Sequence, residues 1–223
     1  MTLLTEKTVA IIGGTGHQGP GLALRWAKSS RYRVIIGSRD TAKAQSVATS
    51  LNLRLGEQRI EGMHNTAAAE AAEIVVLTVP YSAHTEVLES IRTQLKGKVL
   101  VDVTVPLQPP RVSHVYIPPG GSATAEAQAL LGEEVRVVCA FQNVSATHLN
   151  DLDEALECDV LVCGDDQGAK AEAIALAEAA GIRGLDAGPL QNAVVVEGLT
   201  AILIGINKRY RADGAGIKIT GLP

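Results

Sequence analysis

Six short runs of aliphatic and β-branched residues recur along this chain: "TVAII" (8–12), "RVIIG" (33–37), "EIVVLTV" (73–79), "KVLVDVT" (98–104), "VRVVCA" (135–140) and "DVLVCG" (159–164). Most are apolar at consecutive positions rather than alternate ones, which is how strands buried on both faces read. Between them lie stretches rich in Ala, Leu and Glu that predict helices over 19–29, 40–51, 66–72, 83–95, 122–131 and 166–180. Strand and helix in alternation imply a parallel sheet with right-handed crossovers, the doubly wound α/β class.

Aromatic residues make up only 3% of the chain against 46% hydrophobic, so its core has to be built from Val, Ile, Leu and Ala. A net charge of -4 argues against a nucleic-acid surface. Cys139, Cys158 and Cys163 sit in or beside strand-like runs and read as small buried residues of a reducing compartment. No signal peptide is read at the N-terminus, and "NAVVVEGLTAILIGI", with Glu197, Gly198 and Thr200 in it, reads as short of a membrane span. A cytoplasmic protein with neither a nucleic-acid nor a membrane partner is expected. "PPRVSHVYIPPGGS" predicts an irregular loop, and a long last helix is expected from near Pro189 to about Tyr210, with Gly214 past its end. The change of pattern near residue 147 suggests two units, 1–147 and 148–223.

The first run leads into "VAIIGGTGHQGPGLALRWA", which puts Gly14, Gly16 and Gly19 in G-x-G-x-x-G spacing between a strand and a helix. Gly14 is expected to permit the tight turn, Gly16 to let the backbone approach a pyrophosphate, and Gly19 to let helix and strand pack closely. The helix N-terminus adds free N–H groups and a positive dipole end. The pattern predicts a Rossmann-type dinucleotide site, with a smaller C-terminal α/β unit behind it.

Which dinucleotide is bound depends on the end of the second strand, where an acid would hold a ribose 2′-hydroxyl. Here the chain carries Ser38 and Arg39, with Lys43 one helical turn on. A guanidinium fork and a hydroxyl suit a 2′-phosphate, so NADP is expected. Asp40 is expected to cap the following helix rather than to meet the ribose.

With those residues in place the chain resembles the NADPH-dependent F420 reductase (F420H2:NADP+ oxidoreductase) family over almost its full length. The resemblance rests on "GGTGHQGPGLALR" (13–25), "IIGSRD" (35–40), "VLTVPY" (76–81), "LDAGPLQNA" (185–193), "VEGLT" (196–200) and the closing "GIK" (216–218). It implies a homodimeric enzyme that moves a hydride between NADP(H) and the deazaflavin coenzyme F420. The NADP contacts it implies are Thr15, Gly16, His17, Gln18 and Gly19 in the turn, with Ser38, Arg39 and Lys43 at the adenosine phosphate. Tyr81, Thr85, Ala146 and Ala215 fall at the nicotinamide end, and Gln142, Asn143 and Val144 near the deazaflavin. The chain departs from the family pattern at Gln142, Val144, Tyr81 and Thr85, where His, Ile, Trp and an aliphatic residue occur.

Hydride transfer between two stacked rings needs distance and facing from the protein rather than a nucleophile. No catalytic dyad and no metal ligand set are therefore expected. Of the five histidines, His17 lies in the phosphate turn, while His84 and His148 read as surface or capping residues. Asp165 and Asp166 read as the start of a helix. Lys208, Arg209, Arg211 and Lys218 form a basic tail, read either as a helix C-terminus or as a patch facing an anionic coenzyme. Two other readings stay open: an NADPH-dependent reductase of a small carbonyl or imine, and a non-catalytic NADP sensor. The Tyr–Lys spacing of short-chain dehydrogenases is missing, because Ile36, Thr85, Gly120 and Gly214 stand four residues after the tyrosines.

Overall fold

The computed structural model describes residues 6–222. Its strands are β1 (Lys7–Ile12), β2 (Tyr32–Ser38), β3 (Ile60–His64), β4 (Ile74–Leu77), β5 (Val99–Asp102), β6 (Arg136–Cys139), β7 (Asp159–Gly164) and β8 (Arg183–Asp186). Its helices are α1 (Gly19–Lys28), α2 (Thr41–Leu55), α3 (Asn65–Ala71), α4 (His84–Ile91), α5 (Ala123–Leu131), α6 (Ala146–Asn150), α7 (Gln167–Ala179) and α8 (Ala193–Tyr210). Short 3-10 turns at Tyr81–Ala83, Arg92–Leu95 and Leu190–Asn192 lead into or out of the longer helices.

The sheet runs β3-β2-β1-β4-β5-β6-β7-β8. All pairs are parallel except β6 with β7, where Cys139 lies opposite Cys163. Strand order reverses between β1 and β4, and in open α/β sheets the crevice at the carboxyl ends of the strands beside that reversal receives ligands.

Alternate strand residues feed opposite layers, as the period of a strand requires. Val9, Ile11, Val34, Ile36, Val76 and Val101 join α1, α2 and α7 in one core layer. Ala10, Ile12, Ile35, Val75, Leu77 and Leu100 join α3, α4 and α5 in the other. The two fully buried large aromatics, Trp26 and Phe141, meet edge to face at 5.8 Å, and the Trp26 indole N–H donates to the Leu176 carbonyl. Between helix α1 and the strands, Gly21 is pressed against Leu149 of α6, where an added Cβ would lie 2.7 Å from the Leu149 Cβ.

Three expectations are corrected or refined. The terminal helix ends at Tyr210 as expected, with Gly214 beyond it, but the residue that caps it in the left-handed conformation, at φ 54°, is Arg211 rather than a glycine. Gly214 packs the tail on α6, so closely that a Cβ there would lie 2.3 Å from Nε2 of His148. The segment Leu190–Tyr210 is, by length and composition, apolar enough to cross a membrane; here a third of it is buried, against β7 and α5. Finally, Cys139 and Cys163 are buried as expected, but Cys158 is only partly covered.

Candidate functional site

The phosphate turn is built by close approach. The left-handed residue is Gly13, at φ 72°, not Gly14. Gly14 is needed for another reason: a Cβ there would lie 2.7 Å from the Ile11 carbonyl oxygen. Gly19 is packed against Gly14, with only 2.6 Å for a Cβ. A Cβ at Gly16 would meet nothing closer than 3.5 Å, so the space beside it is left open to a ligand. Asn65, which no motif singles out, is buried below the turn and accepts the Gly13 N–H at 3.4 Å.

A cleft of about 320 Å³ opens from this turn and is lined by Thr15, Gly16, Ser38, Arg39, Lys43 and Asn65, among others. Ser38 is buried and its Oγ accepts the Asp40 N–H at 3.2 Å. Asp40 caps α2 by accepting the Lys43 N–H at 3.1 Å, so its carboxylate is engaged with the helix. The Arg39 guanidinium stays 73% exposed, its nearest carboxylate being Glu86 on α4 at 3.9 Å. An exposed pair of this kind contributes about 0–1 kcal/mol, so Arg39 is available to another anion. A 2′-phosphate fits this end of the cleft by charge, donor type and position. Gln18 points elsewhere: its side chain donates to the Phe141 carbonyl at 2.9 Å and ties the turn to the end of β6.

Beyond β4, Tyr81 is fixed from several sides. Its hydroxyl donates to Glu126 at 2.8 Å, and Tyr116 meets its ring edge-on at 6.5 Å. Burial and the Glu126 bond raise the Tyr81 pKa well above that of a free phenol, so it stays neutral. Thr85 is exposed one turn on. His84, read from the sequence as a surface or capping residue, is instead 2% exposed and pairs with Asp102. His148 does lie nearer the surface and pairs with Glu154 at 3.2 Å.

The loop after β6 turns its amides inward. Gln142 donates to the Asp102 carbonyl and Asn143 to the Asp159 carbonyl, each at 2.7 Å. Both side chains are almost fully buried, which leaves shape and backbone as what the loop offers a planar ligand. Phe141 enters it at φ 72°, a conformation that costs a non-glycine residue of order 1–3 kcal/mol. Val144 borders a cavity of about 390 Å³ shared with Ser145, His148, Cys158 and the tail glycines 214 and 216. Ala146 opens α6 rather than lying in a loop, and the Ala215 N–H donates to Asn207 of α8 at 2.8 Å. Asp166 caps α7 by accepting from Ala169 at 2.7 Å, and Asp165 accepts the Leu190 N–H.

Sequence reading also missed Glu197. It is 1% exposed and accepts three hydrogen bonds at the start of α5, from the Ala123 N–H, the Thr124 N–H and the Thr124 hydroxyl. Burial outweighs those donors and lifts its pKa to about 7.

The sequence profile described as "NADP oxidoreductase coenzyme F420-dependent" matches residues 8–106. The F420-dependent NADP reductase of Methanocaldococcus jannaschii is 40% identical over 222 residues, covering 96% of this chain and 98% of its own. The chain belongs to the F420-dependent NADP reductase family. The Methanothermobacter thermautotrophicus F420-dependent NADP reductase is 43% identical, covering 96% of this chain and 95% of its own. A solved structure from Arthrobacter sp. FB24, provisionally named an F420-dependent NADP reductase, superimposes with a TM-score of 0.79 over 96% of this chain and 99% of its own. At 24% identity that likeness supports the fold that this family member shares.

Proposed function

We propose that this protein passes a hydride between NADP(H) and coenzyme F420. The observation that carries the NADP half is the single cleft lined by the glycine turn, Ser38, Arg39 and Lys43. The F420 half rests on the near-full-length relatives named for that reaction. When bound, the two coenzymes supply the redox chemistry, one hydride and one proton being taken up by the deazaflavin for each NADPH oxidised.

The residues have separable tasks. Thr15, Gly16, His17, Gln18 and Gly19 hold the pyrophosphate against the start of α1, where free N–H groups and the helix dipole favour anions. Ser38, Arg39 and Lys43 hold the 2′-phosphate. Tyr81, Thr85, Ala146 and Ala215 border the nicotinamide, with Tyr81 giving it a flat wall. Gln142, Asn143 and Val144 form the floor for the deazaflavin. Holding donor and acceptor carbons at a near-attack distance of roughly 3–3.5 Å is the main contribution of the protein. Residues 1–147 act as the NADP-binding unit and 148–223 as the unit that closes over the nicotinamide.

The same proposal makes the protein a cytoplasmic homodimer. Val195 and Ile202, seven residues apart on α8, are 63% and 49% exposed, beside the exposed loop residues Val115 and Ile117. A second copy meeting this apolar face would cover all four.

Anaerobic mixing of the protein with NADPH and oxidised F420 tests the hydride reading. Loss of the deazaflavin absorbance with NADPH, and far slower loss with NADH, is the expected result. NADPH binding without any loss of that absorbance would refute it.

A further inference from the structure

One buried ion pair joins the two halves of the site. His84, the first residue of α4, places Nε2 2.7 Å from Oδ2 of Asp102 at the end of β5. The histidine is 2% exposed and the aspartate not at all. The other Asp102 oxygen accepts the Thr104 N–H at 2.9 Å, and its backbone carbonyl accepts the Gln142 amide at 2.7 Å. From the far side, the Thr200 hydroxyl on α8 donates to the Gln142 carbonyl at 2.8 Å. On the other flank, the imidazole packs 6.2 Å from the Tyr81 ring, their planes 32° apart. The pair therefore connects the wall assigned to the nicotinamide with the floor assigned to the deazaflavin.

We propose that His84, held by Asp102, is a positioning residue whose imidazolium keeps Tyr81 and the 142–144 loop at the spacing that hydride transfer requires, so that its deprotonation sets an alkaline limit on turnover. The proposal rests on the hydride-transfer function given above.

The charges around the ring explain why the proton matters. Asp102 faces it from β5, Glu197 from α8 and Glu126 from α5, while neutral Tyr81 covers it from its own turn. With the imidazolium present, one cation stands among these carboxylates. Without it, the buried Asp102 side chain loses the one cation beside it, a costly change that a small shift of strand ends relieves. Burial alone would lower the His84 pKa, but the bond to Asp102 and the surrounding carboxylates outweigh it and raise it. The charged pair thus persists to a higher pH than a free imidazole would allow and is lost as the pH rises through the raised pKa.

The test follows two signals from about pH 6 to pH 10, a range chosen to span the ordinary histidine pKa of about 6.5 and values above it. One is the nicotinamide emission of bound NADPH. The other is the single-turnover rate of F420 reduction. In the wild type, emission should titrate above the ordinary histidine value, and the rate should fall about tenfold per pH unit beyond the same midpoint. His84→Gln keeps a donor for Asp102 without a titrating charge, and the double variant H84Q/D102N replaces the ion pair with a neutral hydrogen-bonded one. Both should be flat in emission and rate from pH 8 to pH 10, above the titration of Glu197 near 7. Circular dichroism establishes that each variant is folded, and the double variant decides if the single one is not.

An alkaline limb that persists unchanged in the folded variants would overturn the proposal, as would a wild type whose emission does not titrate. If wild-type protein binds NADPH but reduces no F420 at any pH, the hydride-transfer function fails instead. The emission titration then decides the role of His84 on its own.

Discussion

The carboxyl of Glu197 should make this protein less stable as the pH rises through the range where most proteins are most stable. In the unfolded chain it titrates near its ordinary value of 4.5, and in the folded protein near 7. Below both values it is protonated in either state and contributes no pH dependence. Between them the folded state binds the extra proton, so unfolding becomes easier as the pH increases. Above pH 7 the loss is complete and constant. A separation of this size corresponds to about 3 kcal/mol, at 1.36 kcal/mol per pKa unit. Urea unfolding of wild type and Glu197→Gln, at fixed protein concentration, measures it. The variant loses a hydrogen-bond acceptor at every pH, a constant offset of about 1 kcal/mol that drops out of the comparison. The same pair of measurements in the His84→Gln background removes the His84 titration that Glu197 influences. The difference in stability, wild type minus variant, should fall by about 3 kcal/mol between pH 4.5 and pH 8. A flat difference would refute the reasoning, because it would mean that the three donors at α5 fully offset the burial.

Other consequences of the structure are open to direct measurement. Arg39→Ala should raise the KM for NADPH by tenfold or more while leaving NADH almost untouched, since a charged hydrogen bond to phosphate contributes about 1.5–3 kcal/mol; steady-state kinetics with both nucleotides will show it. Glu86→Gln frees the same guanidinium and should tighten NADPH binding by less than about fivefold, as befits an exposed pair; isothermal titration is the assay. Gly19→Ala drives a Cβ into Gly14 and should cost about 1–3 kcal/mol of stability together with NADP affinity; denaturant unfolding and a binding titration report the two losses. Ile202→Glu places a charge on the exposed face of α8 and should convert the proposed dimer to monomer in sedimentation equilibrium.

The interior strands were the easiest part to read, because a run buried on both faces needs no partner information. β7 falls at residues 159–164, where the pattern put it. β3 escaped notice because "IEGMH" contains Gly62, which is there because a Cβ would lie 2.4 Å from the Ala44 carbon of α2, a tertiary reason that local pattern does not carry. β8, an edge strand with no fully buried residue, and the five-residue α6 were lost for want of periodicity. At the site, the adenosine end was legible because one strand–turn–helix segment carries the glycines and the next strand carries Ser38 and Arg39. The interior of the second half was not. His84 meets Asp102 from 18 residues away, and Glu197 meets Ala123 from 74, so each pair exists only after the sheet has formed.

Arg25 bears on how such a chain can be divided. This α1 residue is nearly buried, and its guanidinium donates to the carbonyls of His148, Leu149, Asp151, Glu154 and Ala180. The oxygens of Asp151 and Glu154 lie outside any helix or strand, where no ladder supplies them with a donor. The segment after α6 thus takes hydrogen-bond donors from α1. Cutting the chain near 147 would expose the Arg25 guanidinium and these carbonyls to water and undo that tie. Residues on either side of 147 are tied together through this one side chain, so a cut there should cost both pieces stability.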